Sequence, residues 1–301
     1  VWKKSSALVL LFAAMAGGAD LKRLEFVEPH MGTLFRITVY ASDPAAARAA
    51  ANAAFARVKQ LDETLSDYNP ESELSRLTRQ APGEWTPVSK DLFHILEAGQ
   101  RLARDTGGAF DVTAGPLIHL WREARKTRRL PSPEAIAHAL ARSGYEHLML
   151  DAKRSAARID IPDMQLDPGA IAKGYAADAA LDILKHHGLK RAIIAASGDL
   201  AIGSPPPGTK GWRVQIQPSE TSQRVLILRN TAVSTSGDRN QFVEIDGRRY
   251  SHVIDARTGM ALADRRGVTV IARRGIDADS LATAACILGK PIKTRHARYF
   301  N

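Results

Sequence analysis

From Leu34 to Tyr40 apolar and polar residues alternate, with Phe35, Ile37 and Val39 on one face and Leu34, Arg36, Thr38 and Tyr40 on the other. That period of two belongs to a half-buried strand, and the break at Pro29 to Gly32 predicts a hairpin over 23–40. At Asp43 the period changes. Asp43-Pro44 offers a helix cap and a first-turn proline, and Ala54, Val58, Leu61 and Leu65 recur at helical spacing, so a helix is predicted to about Thr64. Residues 65–70 read as a loop, 71–79 as a short helix, and 89–106 as a longer one ended by Gly107-Gly108.

Ser132-Pro133 opens another predicted helix, closed by Gly144. Residues 147–151 and 157–161 form a hairpin pattern. Over 171–187 Ala176, Ala180, Ile183 and Leu184 share one helical face, with Gly188 just beyond its end. Strands are predicted at 192–195, 212–217, 225–228, 241–245, 250–254 and 268–272, with Asp246-Gly247 as a hairpin turn and a last helix over 277–288. Strands come in runs broken by helices, which favours an α+β fold over a parallel doubly wound sheet. No internal repeat is present, and the proline-rich loop 204–210 is too short to link domains.

Composition narrows the function. The 301 residues are 45% hydrophobic and 25% charged, globular proportions that exclude wholesale disorder. The only cysteine, Cys286, lies in an apolar run, so an internal disulfide and a cysteine-cluster zinc site are both excluded. A net charge of +10 favours anionic partners. The arginines are scattered or in short pairs, without an aromatic-interleaved basic stripe or a zinc module, so a small phosphate-bearing ligand is expected rather than nucleic acid. Lys3-Lys4, the apolar stretch 7–16 and Gly17-Gly18-Ala19 follow the order of a secretory signal. The apolar run is too short for a spanning helix, and no nearby cysteine could carry a lipid. Cleavage after Ala19 or Ala16 is therefore expected, leaving a soluble exported protein, periplasmic in a bacterium, with one domain over 20–301; an uncleaved leader would instead hold it at the inner membrane.

Familiar catalytic motifs fail. In Gly169-Ala-Ile-Ala-Lys173-Gly174 the lysine precedes the second glycine and no Ser or Thr follows, so it is not a P-loop. Neither Ser197 nor Ser236 sits in G-x-S-x-G, and no H-E-x-x-H occurs. His186-His187 at a helix end is explained by the helix dipole. What remains is a set of polar clusters. In Asp277-Ala-Asp279-Ser-Leu-Ala-Thr283, Asp279 and Thr283 stand at i and i+4 and share a face, where a carboxylate and a hydroxyl suit a hard cation. On spacing alone, helix capping by Asp279 and core packing by Thr283 account for the same residues. Asp167-Pro-Gly-Ala170-Ile-Ala-Lys173-Gly174-Tyr175 combines close backbone approach, a helix N-terminus and a lysine, which suits an anion and equally suits an ordinary loop-to-helix junction.

Taken in order, the clusters resemble the ApbE family of flavin transferases. They are Met31-Gly-Thr33, Ser66-Asp67-Tyr68, Ala109-Phe110-Asp111-x-Thr113-x-Gly115-Pro116, Asp167-x-Gly169-x-x-x-Lys173-Gly174, Ser197-Gly198-Asp199, Ser251-His252-x-x-Asp255-x-x-Thr258-Gly259 and Asp279-x-Leu-Ala-Thr283. The resemblance implies Mg²⁺-dependent transfer of FMN from FAD to a protein threonine with release of AMP. It implies an α+β, T-fold-like architecture with mixed or antiparallel sheets, flanking helices and a nucleotide site between a larger body and a smaller lobe. The metal would be held by Asp279, Thr283 and a backbone carbonyl near Ala170. Met31, Tyr68, Ala109, Phe110, Asp111, Asp167, Lys173 and His252 would bound the FAD site, and His252 would take the acceptor's proton.

Acceptors implied by the resemblance are flavoprotein subunits of membrane electron-transport complexes, such as sodium-pumping NADH:quinone oxidoreductases, Rnf complexes or other reductases. Hydrolysis of FAD to FMN and AMP uses the same residues with water in place of threonine, and a non-catalytic exported FAD-binding protein would use only the nucleotide contacts. One departure stands out: the family continues past the metal helix with a further element, whereas residues 290–301 are basic and lack an apolar period. A truncated end is the expectation there.

Overall fold

The alternation that begins at Thr33 puts Phe35, Ile37 and Val39 fully inside the protein. They lie on β2 (Thr33–Ala41), which pairs antiparallel with β1 (Lys22–His30) through the two-residue turn Met31-Gly32. The computed structural model describes residues 20–217, 223–239, 241–294 and 296–300, so the expected leader over 1–19 lies outside the described residues.

Asp43 caps α1 (Pro44–Leu65), its side chain accepting from the Ala45 and Ala46 amides. After α2 (Glu73–Thr78) and the short β3 (Thr86–Pro87), Ser89 caps α3 (Lys90–Thr106), which ends at left-handed Gly107. The chain then forms α4 (Gly115–Thr127), α5 (Pro133–Leu140), the hairpin β4 (Leu148–Asp151) and β5 (Ala156–Ile159), and α6 (Ala172–His186). Strands β6 (Ala192–Ala196) and β7 (Asp199–Ile202), β8 (Trp212–Ile216) and β9 (Arg224–Leu228), and β10 (Thr231–Gly237) follow. Last come β11 (Phe242–Ile245), β12 (Arg248–Ser251), β13 (Ile254–Asp255), β14 (Met260–Ala261), β15 (Gly267–Ala272), α7 (Gly275–Leu288) and β16 (Arg298–Phe300).

The main sheet has seven strands in the order β1-β2-β6-β7-β10-β15-β16, antiparallel throughout. Alternate residues of each strand serve two layers. Ile37, Ile194 and Val270 face α1, α6 and α7 in the principal core, whereas Ile202, Val233 and Ile271 pack under the β8–β9 hairpin with Trp212, Val214 and Leu228. A separate cluster joins α4 and α5 to β11–β14 through Leu117, Trp121, Val243, Tyr250 and Ile254. This is the α+β arrangement of a larger body and a smaller lobe. No helix among the described residues is long and apolar enough to cross a membrane.

Several elements depart from the pattern reading for physical reasons. Helix α4 begins at Gly115-Pro116, and its buried Leu117, Trp121 and Ala124 follow helical spacing beside a polar, basic face. Strand β10 reads as polar because Ser234 and Ser236 are buried to serve hydroxyl hydrogen bonds rather than packing. The predicted strand 250–254 is interrupted, because the chain changes partner at His252: β12 pairs with β11, and β13 with β14. The predicted helix running to Gly144 ends at Leu140, and Gly144 adopts φ +125° in the turn that follows. The basic tail is not featureless, since β16 pairs with β15 and adds an outer strand to the sheet.

Helices α6 and α7 meet backbone to backbone. A Cβ on Gly174 would lie 2.1 Å from the Gly275 carbonyl oxygen, and one on Gly275 would lie 2.3 Å from that of Gly174. Backbone meets backbone there, so neither side can yield by rotating a side chain. Gly174→Ala is expected to lower the unfolding free energy by about 1–3 kcal/mol in urea denaturation. Unchanged stability would show that the two helices can separate at little cost.

Candidate active site

Because α6 and α7 touch through glycines, their first turns interlock. Arg274 at the start of α7 provides no side-chain cap. Asp178 of α6 substitutes for it, accepting from the Gly275 amide at 2.8 Å, the Ile276 amide at 3.2 Å and Arg274 Nε at 3.1 Å. One turn into α7, buried Asp279 accepts in return from the Gly174 amide at 3.0 Å. Lys173 Nζ then lies 3.2 Å from Asp199, 3.7 Å from Asp279 and 3.2 Å from the Gly169 carbonyl. Asp199 is presented by the Ser197-Gly198 turn between β6 and β7 and accepts from the Ser234 hydroxyl. Thr283 shares a 2.8 Å hydrogen bond with Ser236 on β10.

This group holds two buried carboxylates and one ammonium. Burial pushes the Asp279 carboxyl up to about 7, the nearby charge of Asp199 adds to that rise, and Lys173 only partly offsets it. Lys173 is itself held above the ordinary lysine value: burial works against its charge, but Asp279 and Asp199 outweigh it. The ammonium lies nearer Asp199, so Asp279 is the carboxylate left short of positive charge. Thr283 lies one turn further along the same helix, its hydroxyl bonded to that of Ser236, and the Gly169 carbonyl meets Lys173.

A second network borders the first. Arg122 of α4 bridges Asp67 and Asp167, at 2.6 Å to the latter, and its guanidinium lies 4.3 Å from the ring centre of Tyr68, which is 75% exposed. Asp167 also accepts from the Gly169 amide at 2.7 Å. Burial and the charge of Asp67 raise the Asp167 carboxyl. Asp67 moves the other way: burial would raise it, but hydrogen bonds from His119 and Arg122 hold it below the usual range. Asp111 accepts from the Thr113 amide and hydroxyl at 2.8 and 2.7 Å, yet burial pushes it up to about 6. Met31 takes a left-handed φ of +49° in its turn, and its amide donates to Asp62 at 2.9 Å.

His252 is half-buried on the stretch where β12 hands over to β13, near enough to Lys173 to feel its charge. The Gln241 carbonyl accepts from both the His252 amide and ring Nδ1, each at 3.1 Å. With the proton on Nδ1, Nε2 is left as the acceptor. Burial lowers the imidazole's pKa, the Gln241 carbonyl opposes this, and the charges of Arg125 and Lys173 reinforce it. His252 is therefore neutral near pH 7.

The structure thus joins Lys173, Asp279 and Thr283 in one group, links Tyr68 and Asp167 in the adjoining one, and sets His252 within reach of Lys173's charge. Ala109 and Phe110 are buried, the first against Val253 beside His252 and the second in the principal core, so only their backbone could meet a ligand. Pattern reasoning passed over Asp178, Arg122 and Arg125. The arginine pair was visible as Arg122-x-x-Arg125 once α4 was recognised as a helix. Among the described residues no group of three or more His, Cys, Asp or Glu side chains is placed to hold a metal, so a cation here would rely on hydroxyl and carbonyl oxygens as well.

An antiparallel sheet backed by interlocked helices, with a lysine between two buried carboxylates where those helices meet, defines an α+β protein. The sequence pattern of the ApbE family matches residues 31–299, and the chain belongs to that family. It is 34% identical over 268 residues to the FAD:protein FMN transferase of Klebsiella pneumoniae (strain 342), covering 86% of this chain and 77% of that protein. To the protein of the same name from Treponema pallidum it is 35% identical, over 91% of this chain and 81% of the other. Among solved structures, the apo Pseudomonas stutzeri flavinyl transferase ApbE superposes with a TM-score of 0.80 at 33% identity, covering 89% and 85% of the two chains. The Vibrio cholerae flavin transferase ApbE gives 0.81 at 28% identity, covering 93% and 97%.

The α7 cap offers a direct test of this construction. Asp178→Ala removes the acceptor for two buried backbone amides and is expected to cost about 1–3 kcal/mol in guanidinium denaturation. Asp178→Asn keeps an acceptor oxygen and should recover part of that loss. Equal stability of all three proteins would remove Asp178 from its capping role.

Proposed function

We propose that this chain is an FAD:protein FMN transferase that moves FMN from FAD to a threonine hydroxyl of an acceptor flavoprotein and releases AMP. The observation that carries the reading is a neutral imidazole, His252, within reach of the charge of a buried lysine–carboxylate group. Tyr68 and Asp167, with Met31, Asp111 and the backbone at Ala109 and Phe110, would bound the FAD site. Lys173 would hold a phosphate oxyanion without leaving its carboxylate partners.

The donors suit a magnesium ion. Asp279, Thr283 and the Ala170 carbonyl would hold it, and the under-compensated Asp279 carboxylate favours a cation there. When bound, the ion would supply charge neutralisation to the pyrophosphate. The protein's own groups account for the rest. His252 Nε2 takes the proton from the acceptor hydroxyl, that oxygen bonds to the FMN phosphorus, and the bond from this phosphorus to the bridging oxygen breaks as AMP leaves with that oxygen. The fixed Nδ1–H of His252 keeps Nε2 facing the hydroxyl.

The leader pattern around Lys3-Lys4 supports export, and acceptors of the sodium-pumping oxidoreductase, Rnf or related reductase type fit an enzyme acting outside the cytoplasm. To test the function, the protein is incubated with FAD, Mg²⁺ and an acceptor domain. Intact mass should show one added FMN and stoichiometric AMP, both abolished by chelator. Free FMN and AMP without an adduct across the named acceptor types would replace transfer by hydrolysis, and bound but intact FAD would leave only a binding protein.

His252→Ala is expected to keep FAD binding and reduce transfer about 10²–10⁴-fold. In the parent, kcat/KM should fall on acidification as His252 becomes protonated, with a midpoint below the ordinary histidine value of 6.5 because the folded imidazole's pKa is lowered. Transfer that survives the substitution, or an acid limb set above that value, would assign the proton to another group.

A further inference from the structure

Helix α4 carries two arginines one turn apart on the same face, and their circumstances differ. Arg122 is committed to Asp67 and Asp167 and covers the Tyr68 ring. Arg125 is half-buried and has neither an ion pair nor a hydrogen bond among the described residues. It lies close enough for its charge to act on Tyr68, Arg122 and His252. The other cation acting on His252 is Lys173, which is already bound to Asp199 and Asp279. Arg125 is therefore a half-buried positive charge with no anion paired to it among the described residues, one turn along α4 from the arginine that covers Tyr68 and near the imidazole. Removing a guanidinium partly from water with no anion beside it is unfavourable, and an anionic ligand would relieve that cost.

We infer that Arg125 is a specificity-determining residue that binds a phosphate oxyanion of the dinucleotide substrate between Tyr68 and His252. The inference rests on the flavin-transfer reading and adds to it a second cationic contact, on the lobe opposite Lys173. A phosphate is favoured over a carboxylate of the acceptor because Arg125 shares its helix face with Arg122, whose contacts fix Tyr68 and Asp167 on the nucleotide side. A guanidinium offers paired donors to phosphate oxygens, which an ammonium cannot match.

The test compares FAD with riboflavin, which has the same ring and no phosphate. Dissociation constants for both are measured with Mg²⁺ on the parent, Arg125→Ala and Arg125→Lys. FAD should bind about 10–100-fold more weakly to Arg125→Ala, as expected for loss of a charge-assisted hydrogen bond. Riboflavin binding should stay within about twofold, which also reports that the fold is intact, and Arg125→Lys should recover part of the FAD affinity. An equal loss for both ligands, or unchanged FAD affinity with a raised KM for the acceptor, would overturn the assignment. If the parent itself bound FAD no more tightly than riboflavin, the flavin-transfer reading would fall together with it. A parent preference for FAD that persists in Arg125→Ala would sink the arginine assignment alone.

Discussion

The site depends on a contact with no side chains in it. Gly174 and Gly275 let α6 and α7 approach until their backbones meet, and everything charged nearby is arranged around that approach. It brings the Gly174 amide to Asp279, the Asp178 carboxylate to the first amides of α7, and Lys173 to both Asp199 and Asp279. Each helix satisfies free amides at the other's N-terminus, so neither end needs a conventional capping residue of its own. A methyl group at either glycine would lengthen all these contacts together, because they share one separation.

That closeness also sets the electrostatics. Two carboxylates and one ammonium cannot be neutral when all are ionised, and burial makes the imbalance costly. The imbalance falls on Asp279, whose carboxyl is raised to about 7, while the hydroxyls of Ser236 and Thr283 add neutral oxygens nearby. On the smaller lobe the sign is reversed. Arg122 is matched by acids, but Arg125 is not, and His252 stays neutral between cations. The buried acids of the larger body and the unmatched arginine of the smaller lobe are thus opposite in sign, the polarity that the proposed metal–pyrophosphate substrate would need.

Much of this was legible in the sequence, and the failures have a common origin. Strands and helices with one clean apolar face, such as β2, α1, α3 and α6, followed from periodicity because a single layer buries each of them. Strand β10 was hidden because its buried positions include serines that bind Asp199 and Thr283, so an element built for the site looks like a polar loop. The Asp279–Thr283 spacing could be read as cation chemistry or as ordinary capping, and the structure turns Asp279 to the Gly174 amide of the neighbouring helix and Thr283 to Ser236, contacts that local spacing does not reveal. Asp178 was not accessible to local reading at all, since its partners lie almost a hundred residues away.

The attachment of His252 has a consequence of its own. One backbone oxygen, that of Gln241, fixes both the path of the chain and the ring nitrogen that carries the proton. The tautomer is therefore inherited from the strand's geometry and owes nothing to any neighbouring side chain. Position 241 can drift freely in sequence while its role stays constant, so mutational tolerance there would conceal one of the protein's fixed points.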